Sequence, residues 1–160
     1  MQIDVKGLDN LQIKLNQFKN DLTHTEPLMA KLANHLHVMV EVSFEREQSP
    51  DGKKWTPIKP NKKDPHPKKI LWSSGAMQGS LYRNVTKDTA IVGLNAISPS
   101  GFQYPLTHQF GTSNAWGKGI TVPARPFLPI DSKGYIYEGV EKELMEIVDD
   151  YVELMSFKIN

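Results

Sequence analysis

Histidines are the residues of this chain best suited to moving protons or holding metal, and their spacing favours neither task. His35 and His37 stand two apart, so on a helix they point to different sides, whereas helical metal pairs stand at i, i+4. His24, His66 and His108 fall in separate segments without a metal-ligand pattern. His108, Asp131 and a serine are the components of a hydrolytic triad, and a small hydrolase with His108 as base is one rival reading. No Gly-x-Ser-x-Gly elbow accompanies them, and no Ser-x-x-Lys surrounds Ser73 or Ser74. Glycine-rich phosphate loops are missing, and so is cysteine, which excludes thiol catalysis, disulfides and cysteine-held zinc. The expectation is a non-enzyme with no catalytic, cofactor-binding or metal-binding residues and no cofactor.

Binding chemistry is better represented. Between Ser49 and Lys69 stand seven lysines, Lys53, Lys54, Lys59, Lys62, Lys63, Lys68 and Lys69, opposed only by Asp51 and Asp64. Such a segment suits DNA phosphate or an acidic protein surface, or it is simply a solvated loop. A nucleic-acid-binding module using Lys53–Lys69 is the second rival reading. The C-terminal segment carries the opposite sign, with Glu138, Glu141, Glu143, Glu146, Asp149, Asp150 and Glu153. In a ring, the basic loop of one subunit would meet the acidic helix of the next, a heterologous contact; the plainer reading is a solvated outer face. Trp55 and Trp72 read as closing the edge of a small core, and Trp116, in a glycine-flanked loop, as a partner contact.

The elements that must position these residues follow from periodicity. Ile3 and Val5 alternate with polar neighbours, suggesting a short strand ended by Gly7. Leu8, Leu11, Leu15, Phe18 and Leu22 recur at helical spacing. A second helix opens at Thr25, whose hydroxyl is expected to cap it, with Pro27 in the first turn; Leu28, Leu32, Leu36, Met39, Val40 and Phe44 give its apolar face. Residues 49–69 hold six prolines or glycines and read as a long loop, opened by the turn Pro50-Asp51-Gly52. Ser73 or Ser74 is expected to cap a short helix carrying Ala76, Met77 and Leu81. Tyr82–Thr86 and Ala90–Leu94 read as a hairpin. Tyr104–Phe110 is short and mixed, Thr112–Gly119 reads as a flexible loop, and Ile120 and Val122 begin a strand that Pro123 closes. The last helix is the clearest, with Val140, Leu144, Ile147, Val148, Tyr151, Leu154 and Met155 on one face.

The chain is 160 residues long, with 19 Lys+Arg against 18 Asp+Glu and 39% hydrophobic residues. That is one ordinary globular domain, residues 1–160, with no whole-chain charge to steer it to nucleic acid. No apolar run approaches the roughly 20 residues of a membrane span, and MQIDVKGLDN lacks the basic start and apolar stretch of a signal peptide, so a soluble cytoplasmic protein without membrane contact is expected. The fold class is α+β: a small, mostly antiparallel sheet packed by two N-terminal helices and a C-terminal helix, with the long basic loop projecting.

Four stretches, in this order, carry a resemblance. They are Ser49-Pro50-Asp51-Gly52-Lys53-Lys54-Trp55-Thr56-Pro57, Ile70-Leu71-Trp72-Ser73-Ser74-Gly75-Ala76-Met77-Gln78-Gly79-Ser80-Leu81, Tyr104-Pro105-Leu106-Thr107-His108-Gln109-Phe110-Gly111 and Pro123-Ala124-Arg125-Pro126-Phe127-Leu128. Together they resemble the phage virion morphogenesis family of Mu-type G and tail-completion proteins. Members typically show a Pro-Asp-Gly-x-x-Trp-x-Pro turn, a Leu-x-x-Ser-Gly-x-Leu segment, a His-Gln-Phe-Gly box and a Pro-Ala-Arg-Pro-Phe-Leu box. The resemblance covers nearly the whole chain, most firmly residues 44–130. Met77 departs from the usual Leu and Gln78 from a common basic residue, and the Thr112–Gly119 loop is longer than in compact members.

The resemblance implies a non-catalytic structural protein of a phage or prophage, acting in tail completion or head–tail joining as a ring-forming connector or terminator. Its implied partners are further copies of itself, other tail or neck proteins, and DNA passing through the lumen. Its implied location is the virion, assembled in the bacterial host cytoplasm. The box residues Asp51, Gly52, Trp55, Gly75, His108, Phe110, Gly111, Arg125, Pro126 and Phe127 are then structural. Gly52 and Gly111 supply turn conformations closed to other residues, and Phe110, Phe127 and Leu128 close the core. Arg125 holds a carboxylate or carbonyl through its planar fork.

Overall fold

The computed structural model describes residues 7–21, 25–59, 69–115 and 117–157. The strand expected at the N-terminus, Trp116, Lys62, Lys63 and Lys68 lie outside them, as do the side chains of Phe18 and Leu22. Among the described residues five helices and four strands follow in the order α1 (Asp9–Asp21), α2 (Glu26–Arg46), α3 (Ala76–Gly79), β1 (Leu81–Val85), β2 (Ala90–Leu94), α4 (Tyr104–Phe110), β3 (Thr112–Ala115), β4 (Ile120–Val122) and α5 (Glu138–Phe157). The architecture is α+β. Among the described residues its strands form two separate antiparallel ribbons, β1-β2 and β3-β4, rather than one small sheet.

Helix α2 is the axis of the molecule. Its 21 residues span about 31 Å at 1.5 Å per residue, and they bury different neighbours at each end. Near its N-terminus, Leu28, Met29 and Leu32 pack with Leu11 of α1 and with Val140, Leu144, Val148 and Tyr151 of α5. Near its C-terminus, Val40 and Phe44 pack with Trp55, Ile70, Met77, Leu94, Phe127, Leu128 and Ile130. Helix α5 runs back along α2, since Glu143 meets His35 while Lys31 lies over the ring of Tyr151. The β1-β2 ribbon, in register from Leu81↔Leu94 to Val85↔Ala90, lies against α2 between the two clusters.

The start of α2 departs from expectation. Thr25 holds the N-cap position, and its carbonyl accepts the amide of Met29 at 3.0 Å, but its hydroxyl makes no cap bond. The hydroxyl donates instead to the carbonyl of Lys87 at 2.5 Å, tying the helix to the hairpin turn. At the short helix α3, Gly75 takes the N-cap position with φ +75°, and the hydroxyl of Ser74 accepts the amide of Ala76 at 3.3 Å.

Two more elements differ from the sequence reading. Tyr104–Phe110 is a helix, with Pro105 in its first turn, where a missing N–H is harmless. Thr112–Ala115 is a strand rather than part of a flexible loop, paired with β4 across an irregular register. Among the described residues no helix is long and apolar enough to cross a membrane.

Candidate functional site

The four boxes meet around the C-terminal end of α2. Helix α2 ends at Glu47 in a left-handed conformation (φ +53°), and the chain turns through Ser49-Pro50-Asp51-Gly52, where the Gly52 amide bonds the Ser49 carbonyl at 2.8 Å. Gly52 sits at φ +83°, in the region that favours glycine. The Asp51 carboxylate closes this turn, accepting from the Ser49 hydroxyl and, at 2.7 Å, from the Lys53 ammonium. Burial pushes the Asp51 carboxyl up, but the bonds from Lys53 and Ser49 outweigh it and hold its pKa below the ordinary value. The nearby Tyr137 phenol is pushed up to about 12 by burial and then by the charges of Asp51 and Asp131.

Trp55 then enters the core. Its ring lies edge-on to Phe44 at 5.7 Å, Phe44 stacks on Phe127 at 5.2 Å, and its indole N–H donates to the Pro126 carbonyl at 2.7 Å. One bond thus joins the first box to the fourth. Arg125 adds a second: its Nε donates to the Thr56 carbonyl at 3.0 Å, while its own amide donates to the His108 carbonyl at 2.7 Å. Phe110 packs against the same core from the third box.

Gln109, a residue to which sequence reasoning gave no role, is the centre of this frame. It is 1% exposed. Its amide nitrogen donates to the carbonyls of Leu128 and Ile130, at 3.1 and 3.2 Å, and its oxygen accepts the amides of Phe127 and Leu128, at 3.0 and 2.9 Å. A carboxamide has two donors and two acceptor lone pairs, so all four capacities are used. No signal in the sequence singles it out, because a helical reading of Tyr104–Phe110 would turn Leu106 inward, and Leu106 is exposed. Gly111 ends that helix at φ +71°, and a Cβ there would stand 2.7 Å from the Ala124 nitrogen, so both conformation and space demand glycine.

Outside this frame a cleft of about 930 Å³ opens at the root of the basic segment, lined by Ile58, Lys59, Lys69, Trp72, Tyr104 and Arg125 among others. Trp72 does not close the core as expected: it is 50% exposed, it follows Leu71 at φ +57°, and the Lys69 ammonium lies 5.4 Å from its ring centre. Among the described residues no aspartate or glutamate lines the cleft and no carboxylate pairs with Arg125. The lysines divide. Lys53 is tied to Asp51 and Lys54 donates to the Arg46 carbonyl at 2.9 Å, whereas exposed Lys59 and Lys69 face the cleft.

His108 also lines the cleft, packed edge-on to Tyr104 at 6.5 Å, with its Nδ1 buried and unbonded. Burial, and then the charge of Arg125, lowers its pKa and keeps it neutral at pH 7. The triad components are not brought together, since the Asp131 carboxylate accepts the amides of Lys133 and Tyr135 and no hydrogen bond joins it to His108. His35 and His37 diverge, the first toward Glu143 at 2.8 Å and the second toward Glu41 at 3.6 Å.

Comparison with known proteins matches the sequence model of the phage virion morphogenesis family to residues 6–153. The Mu-like prophage FluMu G protein 2 of Haemophilus influenzae is 24% identical over 155 residues, covering 97% of this chain and 98% of that protein. No solved structure matches. The matched span takes in both ends of α2, all four boxes and the Gln109 frame that joins them, and the chain belongs to the phage virion morphogenesis family.

Proposed function

We propose that this protein is a non-catalytic structural subunit of a phage or prophage, completing the tail or joining head to tail by assembling with copies of itself. The family match over residues 6–153 carries this reading. The use of the box residues agrees with it: Trp55, Gln109, Arg125 and Phe127 are spent on holding loops together, and His108 is a neutral base without an orienting partner. The partners are further copies of the chain and neighbouring tail or neck proteins around a lumen through which DNA passes. The protein is assembled in the host cytoplasm and carried in the virion. Deleting the gene from an inducible parent prophage and viewing the lysate by negative-stain electron microscopy tests this. Full heads beside separate or malformed tails are expected, and normal infectious particles would overturn the reading.

A further inference from the structure

The cleft and the outer face of α5 are chemically complementary. The cleft offers Lys59, Lys69 and the guanidinium of Arg125, which has no carboxylate partner among the described residues, beside two exposed apolar side chains, Trp72 at 50% and Ile58 at 43%. The face of α5 offers the converse. Among its exposed acids, Asp149 is paired with Lys14, Glu143 with His35 and Glu138 with Lys142. Glu146 and Asp150 have no ion-pair partner among the described residues, and they precede Leu154, which is 54% exposed. These three stand at i, i+4 and i+8, one row about 12 Å long.

We propose that the cleft binds the Glu146–Asp150–Leu154 row of α5 from a second copy of this chain, the acids meeting Lys59, Lys69 and Arg125 and the leucine covering Trp72 and Ile58. The cleft's own α5 cannot serve. Its row packs beside the N-terminal half of α2, where Lys31 and Tyr151 meet, whereas Met77 of the cleft wall packs in the cluster of Phe44, about 20 Å further along the helix axis. Two different patches on one chain make a heterologous contact, which propagates from copy to copy and closes into a ring when its rotation allows. The contact rests on the assembly reading above. It assigns the joint to one cleft and one helix row.

The test uses the full chain, supplied to the deleted prophage with the photo-reactive amino acid p-benzoylphenylalanine at position 72. Irradiated particles should yield a dimer of this chain whose cross-linked peptide contains residues 146–154. Adding Glu146→Lys and Asp150→Lys should lower that product about 10-fold or more, because like charges then face each other, and adding Lys59→Glu and Lys69→Glu to the same chain should restore it. If position 72 fails to support particles, the probe moves to position 58. Infectious particles that give no such adduct, a dimer joined elsewhere, or an adduct to another virion protein or to DNA would overturn this contact and leave the assembly reading standing. Normal particles from the deleted prophage alone would overturn the assembly reading itself.

Discussion

The two ends of α2 are stabilised by different physics. At its N-terminal end, α1, α2 and α5 meet through apolar side chains at helical spacing, and each helix satisfies its own backbone. At its C-terminal end, Phe44 meets a core built largely from loops, where Phe127, Leu128 and Ile130 have no helix or long strand to take up their amides and carbonyls. There one side chain, Gln109, does what secondary structure does elsewhere. The helical end is therefore specified by hydrophobicity and volume, and the loop end by polar pairing and backbone shape.

The same new residue placed at each end separates them most sharply. Gln109→Met conserves volume but strands buried amides and carbonyls, each costing about 1–3 kcal/mol, so a loss of about 4 kcal/mol or more is expected in urea unfolding. A loss near 1 kcal/mol would mean the loop end is held by apolar packing after all. Gly111→Ala should cost about 3 kcal/mol, from strain at φ +71° and the crowding against Ala124, and a thermal midpoint equal to the parent's would refute the tight approach. At the helical end, Leu144→Met should cost less than about 1.5 kcal/mol, because a buried apolar swap of similar volume strands no polar group. A larger loss there than for Gln109→Met would invert the comparison. The smallest effect concerns the Asp51 turn. Asp51→Asn should cost under about 1 kcal/mol at pH 7, since solvent screens this surface pairing. The native Asp51 carboxyl binds its proton more weakly than the unfolded one, so its contribution is present above the ordinary pKa of 3.8 and fades as pH falls below it through the lowered native value. A variant deficit that persisted at pH 2 would contradict the ionic role.

This division also explains what could be read from the sequence. The apolar faces of α2 and α5, and the β1-β2 hairpin, are visible because their periodicity is what buries them. Helix α4 reverses that logic: Leu106 is 44% exposed while Gln109 is buried, so its apolar pattern conceals its inward face. Strand β3, Thr-Ser-Asn-Ala, buries only Ala115 and pairs on one side, which leaves no alternation to detect. Thr25 was legible as the residue opening α2, but the destination of its hydroxyl at Lys87, 62 positions away, is a tertiary fact. At the candidate site, the charges of Lys59 and Lys69 were visible, whereas the cleft they line depends on Arg125 and Tyr104 arriving from distant boxes.

The basic segment leaves and rejoins the body at two fastened points. Trp55 is moored to the Pro126 carbonyl, and the Ile70 amide returns to the Glu47 carboxylate at 2.5 Å, beside the place where α2 ended. A chain segment clasped at both ends changes length cheaply, since doubling the number of residues in a closed loop costs only about 0.6 kcal/mol in closure entropy. The number of residues between the two clasps is thus open to insertion or trimming without disturbing either bond.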